Sequence, residues 1–178
     1  MNLSRMLKTI PLIAASLGLM SSNLLAAPFS DLTFDAASKE AAKSGKIVLV
    51  DFYTTWCGPC KMLDKNTWTD PGVVKLLSEK TIALRLDAEK ETALARKYKI
   101  EAYPSVLLIK PDGTEIDRLV GYRDPKSFTA DFNATLAGRD SIARAEEKVT
   151  QAGTNDPSAR MDLGVALAQK GKDAEALQ

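Results

Sequence analysis

The apolar, β-branched run Ile47-Val48-Leu49-Val50-Asp51-Phe52-Tyr53 leads directly into Trp56-Cys57-Gly58-Pro59-Cys60-Lys61, which holds the only two cysteines of the 178-residue chain. Such a run predicts a strand buried on both faces, and the residues after it, Lys61 to Asn66, read as helix. The fold must therefore deliver Cys57 from the end of a central strand to the N-terminus of a helix. There the unpaired backbone N–H groups and the positive end of the helix dipole stabilise an anion, so the Cys57 thiol is expected to ionise below the free value of ~8.5 and to act as the nucleophile. Cys60, one turn further in, is close enough to close a two-residue disulfide ring and is shielded by the helix, which suits a resolving thiol.

Two cysteines cannot make a multi-bridge scaffold, so in an oxidising compartment this pair is expected to serve reactivity. The chain has no histidine. A four-ligand structural zinc site within it is thereby excluded, as is Cys–His hydrolase chemistry, and neither metal nor cofactor is expected.

Helix is predicted over Phe34 to Ser44, with an alanine face and Gly45 as its stop, and strand over Ile47 to Tyr53. After the motif helix, Asp70-Pro71-Gly72 restarts the chain, Thr81 to Asp87 reads as a second strand and Thr92 to Tyr98 as helix. A helix between the two strands is long enough for a crossover, so they should be parallel. Ser105 to Ile109 and Glu115 to Val120 should form an antiparallel hairpin around Pro111-Asp112-Gly113, with a closing helix over Pro125 to Leu136. A short first strand is allowed near Asp31 to Thr33. The expected class is α/β, a mixed sheet with helices on both faces and a short helical extension behind it.

Over Phe34 to Leu136 the chain resembles the thioredoxin superfamily. The resemblance rests on the cysteine hexapeptide, on Asp51 where thioredoxins keep a buried carboxylate, on Tyr103-Pro104 before Ser105-Val106-Leu107-Leu108-Ile109, and on Gly121. Asp51-Phe52-Tyr53-Thr54-Thr55-Trp56-Cys57 and Asn66-Thr67-Trp68-Thr69-Asp70-Pro71-Gly72-Val73 look most like exported members such as the carboxy-terminal periplasmic domain of the disulfide reductase DsbD. The resemblance implies a thioredoxin fold and a thiol-disulfide oxidoreductase using a Cys57–Cys60 redox disulfide. It further implies a cis bond before Pro104, with the Tyr103 backbone left free to pair with substrate. Trp56 is read as a shield and docking surface, beside Gly58 and Pro59, the dipeptide of reducing thioredoxins. Asp51 is expected to take the Cys60 proton, since a buried carboxylate has a raised pKa. One departure stands out: many thioredoxins carry a lysine near the buried carboxylate, and Ala83 occupies that position.

The N-terminus reads as an export signal, residues 1–26, with Arg5 and Lys8 before an apolar stretch from Ile10 to Leu19 and cleavage expected after Ala26. An uncleaved membrane anchor is the alternative, opposed by an apolar run shorter than the ~20 residues a spanning helix needs. A periplasmic or otherwise exported protein follows. Without Arg5 and Lys8 the chain is close to neutral, which excludes electrostatic nucleic-acid binding. The expected partners are disulfide-containing exported proteins, with a membrane disulfide reductase as electron donor.

Residues 28–137 are expected to form the redox domain, and residues 141–178 a helical extension. In the extension, Met161-x-Leu163-Gly164-x-x-Leu167 and Gly171-x-x-x-x-Ala176-Leu177 resemble part of a tetratricopeptide repeat. Half a repeat cannot bury its apolar face alone, so these helices should meet further repeats or dock on the redox domain. A second reading of the whole chain follows from this tail: a thioredoxin-fold scaffold that recruits a protein partner through it.

Overall fold

The computed structural model describes residues 28–176. The expected export signal and Leu177 lie outside them. Helix α1 (Phe34–Ser44) starts where the Thr33 hydroxyl accepts the Ala36 N–H and stops at Gly45, whose φ of 67° is the left-handed turn a glycine takes without strain. Strand β1 (Ile47–Tyr53) follows, then α2 (Gly58–Met62), a π-helical turn (Leu63–Thr67), α3 (Pro71–Lys80), β2 (Thr81–Asp87), α4 (Thr92–Lys97), β3 (Ser105–Ile109), β4 (Glu115–Val120) and α5 (Pro125–Leu136). Among the described residues the sheet has four strands in the order β2-β1-β3-β4. The β1–β2 pair is parallel, and β1–β3 and β3–β4 are antiparallel.

The alternation of β1 divides the core in two. Val48, Val50 and Phe52 pack with Ala37 and Ala41 of α1 and Ala95 of α4. Leu49 packs on the opposite face with Leu63 of the π turn, Val73 and Leu77 of α3, and Phe128 and Phe132 of α5. Asp51 shares the parity of Leu49, so a carboxylate enters the second, larger-ringed layer.

Two sequence expectations change here. The first strand near Asp31 to Thr33 is instead a single parallel bridge of Phe29 to Ala83, with Ser30 N–H donating to the Ala83 carbonyl at 2.8 Å. Thr33 is already committed as the α1 cap, which leaves no room to extend the pairing. The motif helix is α-helical only to Met62; beyond it the Trp68 N–H reaches back to Leu63 O at 2.9 Å, the five-residue step of a π turn.

Beyond Gly138 lie α6 (Ser141–Ala152), α7 (Pro157–Gln169) and α8 (Asp173–Ala176). Asp140 and Asp156 cap α6 and α7 by accepting the Ala143 and Ala159 N–H groups at 3.0 and 2.8 Å. The extension docks on the sheet through Asp117 of β4. That carboxylate is fully buried and accepts from Thr135 Oγ1 of α5 at 2.7 Å and from the Ser141 N–H at 3.0 Å. Arg144 of α6 and Lys170, just past the end of α7, complete its shell at 3.3 and 3.7 Å. Lys170 also donates to the Ile116 carbonyl at 2.8 Å. Of the apolar residues in the repeat-like pattern of the tail, Leu167 is buried and Met161 is 65% exposed.

Candidate active site

The end of β1 turns through Thr54 and Thr55, where the Cys57 N–H bonds Thr54 O at 3.3 Å, and this turn sets Cys57 as the N-cap of α2. Its sulfur accepts the Cys60 N–H at 3.1 Å, a donor left over at every helix start. Pro59 stands in the first turn, where a missing N–H costs nothing. Cys57 and Cys60 are joined in a disulfide with their Cα atoms 5.3 Å apart. Both are nearly buried, at 3% and 1% exposure, so what separates them is place in the helix rather than access. Cys57 caps the first turn; Cys60 is inside it.

Gly58 and Pro59 are exposed beside the disulfide. Trp56 is 64% exposed and is therefore no part of the core. Its indole N–H donates to Glu89 Oε1 at 2.9 Å, and its ring meets Tyr103 edge-on at 5.9 Å between centroids. The Tyr103–Pro104 bond is cis, as the resemblance implies, and Pro104 is buried with its carbonyl accepting the Gly121 N–H at 2.8 Å. Trp56, Tyr103 and Glu89 thus form a fixed surface beside the α2 head.

Asp51 is fully buried. Its Oδ2 accepts from Trp68 Nε1 at 3.0 Å and from Arg85 Nε at 3.3 Å, while Oδ1 has no hydrogen-bond partner among the described residues. Burial pushes the carboxyl up to about 6, against the pull of the Arg85 guanidinium and the Trp68 hydrogen bond, with the nearby Asp64 charge adding to the rise. The cation missing at Ala83 is therefore supplied two residues later on the same strand face. Arg85 is the direct parallel-sheet partner of Asp51. It rests over the Tyr53 ring at 3.7 Å and reaches Asp64 Oδ2 at 2.8 Å through Nη2. Asp64 is itself held above the ordinary carboxylate range by partial burial, which outweighs the opposing pull of Arg85.

Sequence reasoning missed Arg85, Trp68, Asp64 and Glu89. A signal existed for the first: Arg85 interrupts the apolar run from Ile82 to Leu86, and parallel pairing of β1 with β2 puts it opposite the only charge in β1.

The sequence profile of the thioredoxin-like domain matches residues 34–135. Thioredoxin Y1 of Arabidopsis thaliana chloroplasts is 42% identical over 89 residues, which cover 50% of this chain and 49% of that protein. The thiol:disulfide interchange protein DsbD of Pseudomonas fluorescens is 33% identical over 116 residues, covering 62% of this chain and 20% of that one. Among solved structures, the oxidised carboxy-terminal domain of Neisseria meningitidis DsbD superposes with a TM-score of 0.50 at 25% identity, covering 57% of this chain and 89% of that domain. The chain thus spans about half the length of the first of these relatives and a fifth of the second.

Proposed function

The chain belongs to the thioredoxin-like domain family, and from that premise we propose that it is a thiol-disulfide oxidoreductase that reduces, or relays electrons to, disulfides of exported proteins. What carries this reading is the position of the Cys57–Cys60 disulfide at the head of α2, with the Cys57 sulfur already accepting a helix N–H. In the reduced protein the Cys57 thiolate attacks one sulfur of a substrate disulfide. A mixed disulfide forms and the other substrate sulfur leaves as thiolate. Cys60 then passes its proton to Asp51 and attacks the Cys57 sulfur, which releases the second substrate thiolate and leaves the protein oxidised. The Tyr103 backbone beside Pro104 takes the substrate strand, and Trp56 with Gly58 and Pro59 forms the docking surface.

The Gly58-Pro59 dipeptide, that of thioredoxin at ~−270 mV rather than of strong oxidants near ~−120 mV, supports the reducing direction. Export through residues 1–26 and likeness to DsbD support a periplasmic site of action, with a membrane disulfide reductase as electron donor. We assign residues 28–137 to the redox domain and 141–178 to a helical extension, whose exposed Met161 and Val165 are the place for a protein partner.

Insulin reduction by the purified chain, together with the redox potential of the Cys57/Cys60 couple, tests activity and direction. Cys57→Ser is expected to abolish reduction, and Cys60→Ser to accumulate mixed disulfides because attack survives and resolution does not. Equal trapping by both variants would reverse the roles assigned to the two cysteines.

A further inference from the structure

We propose that Arg85 is a positioning residue for the resolving step: it pins Asp51 through Oδ2, leaves Oδ1 as the oxygen that receives the Cys60 proton, and is itself shared with Asp64, which sets its hold. This rests on the reading of Asp51 as the base.

The two carboxylate oxygens of Asp51 are unequal. Oδ2 is occupied by two donors, Trp68 Nε1 and Arg85 Nε, and Oδ1 is buried with no partner among the described residues. An oxygen that already accepts two hydrogen bonds gains little from a proton, whereas a buried oxygen without a donor gains most. The proton therefore goes to Oδ1. The Arg85 fork spans two carboxylates, Nε inward to Asp51 at 3.3 Å and Nη2 outward to Asp64 at 2.8 Å, over the Tyr53 ring. A lysine, a single point charge on a flexible stem, cannot hold both contacts at once. The outward contact is the shorter, so Asp64 competes for the charge that reaches Asp51. The charged groups that act on Asp51 are then Arg85 on β2 and Asp64 on the π turn, with the Trp68 indole as its neutral donor.

Opposite displacements follow. Without Arg85 the carboxylate keeps its proton to higher pH, so the base form appears later. Without the Asp64 charge the reverse holds. A symmetrical aromatic disulfide given to the reduced protein reads the steps apart, because one coloured thiolate is released when Cys57 attacks and the second when Cys60 resolves. In that second phase the acid limb of the pH–rate profile is expected to move up by about one pH unit in Arg85→Gln, and down in Asp64→Asn. Arg85→Lys should fall between wild type and Arg85→Gln, and the first phase should keep its profile in all three. Both side chains reach solvent, so the variants should fold, and a merely structural ion pair would move stability without moving the limb in opposite senses.

Asp51→Asn separates the two levels of the argument. If the limb persists in Asp51→Asn, the base reading fails and this inference with it. If Asp51→Asn loses the limb but Arg85→Gln and Asp64→Asn leave it in place, or move it the same way, the base reading stands and the role given to Arg85 is overturned.

Discussion

A carboxyl held near 6 in the fold, against an ordinary value near 4, makes Asp51 a destabilising residue at neutral pH. Its folded form binds the proton more tightly than the unfolded chain does. The stability linked to Asp51 is therefore fully present below about pH 4 and is lost as pH rises through about 6, a loss of about 3 kcal/mol by pH 8. Asp51→Asn should accordingly stabilise the oxidised protein by about 1–3 kcal/mol at pH 8, with the gain shrinking toward pH 4, and slow the resolving step. Urea denaturation at the two pH values measures the first effect; equal gains at both would mean that the ionised form is not what costs. Cys57, Cys60 and Asp51 were legible because each breaks its local pattern, a thiol pair at a helix start and a charge in an apolar strand, whereas Pro104 was read from the family resemblance. Arg85 and Trp68 were not, because their roles depend on neighbours brought in by strand register and by a helical irregularity.

That irregularity belongs to the scale of elements. One extra residue in the turn from Leu63 to Thr67 lets Leu63, Thr67 and Trp68 all face inward, and Trp68 then reaches both the Asp51 carboxylate and the Phe128 ring, the latter edge-on at 5.0 Å. A hydrophobic period of 3.6 contains no sign of such a step, so the residues after Met62 read as ordinary α-helix. Helix ends were far more readable. Asp70, Pro71 and the following apolar residues announce α3, and the Asp70 carboxylate accepts the Val73 N–H at 3.0 Å. Asp70→Ala should lower stability by about 1 kcal/mol through the lost cap. Turnover with a small disulfide should stay as it was, since α3 supplies core residues and no reacting group. A fall in turnover at unchanged stability would place α3 closer to the chemistry than its packing does.

For the molecule as a whole the question is how far the extension and the redox domain are one unit. The bounds of α6 and α7 could be read from Asp140, Gly153 and Asp156-Pro157, but their docking could not, because Asp117 looks like a solvent-facing hairpin residue until α5, α6 and α7 close over it. A chain ending near Gly138 should keep its activity toward a small disulfide, because every residue assigned to the chemistry lies between Asp51 and Pro104. It should also be less stable, since Asp117 loses the Ser141 N–H, Arg144 and Lys170 together and keeps Thr135. The role of Asp117 should then change sign between the two chains. In the full chain Asp117→Asn takes one carboxylate from Arg144 and Lys170, which keep Asp131 at 3.4 Å and Asp140 at 3.3 Å, and should cost about 2 kcal/mol, the scale of lost hydrogen bonds to charged groups. In the shortened chain the same substitution removes a carboxylate with no cation to meet it and should be neutral or stabilising. A double-mutant cycle by urea denaturation reads this difference directly. If Asp117→Asn costs the same in both chains, the carboxylate serves β4 and α5 alone, and the extension is held to the sheet by its apolar contacts.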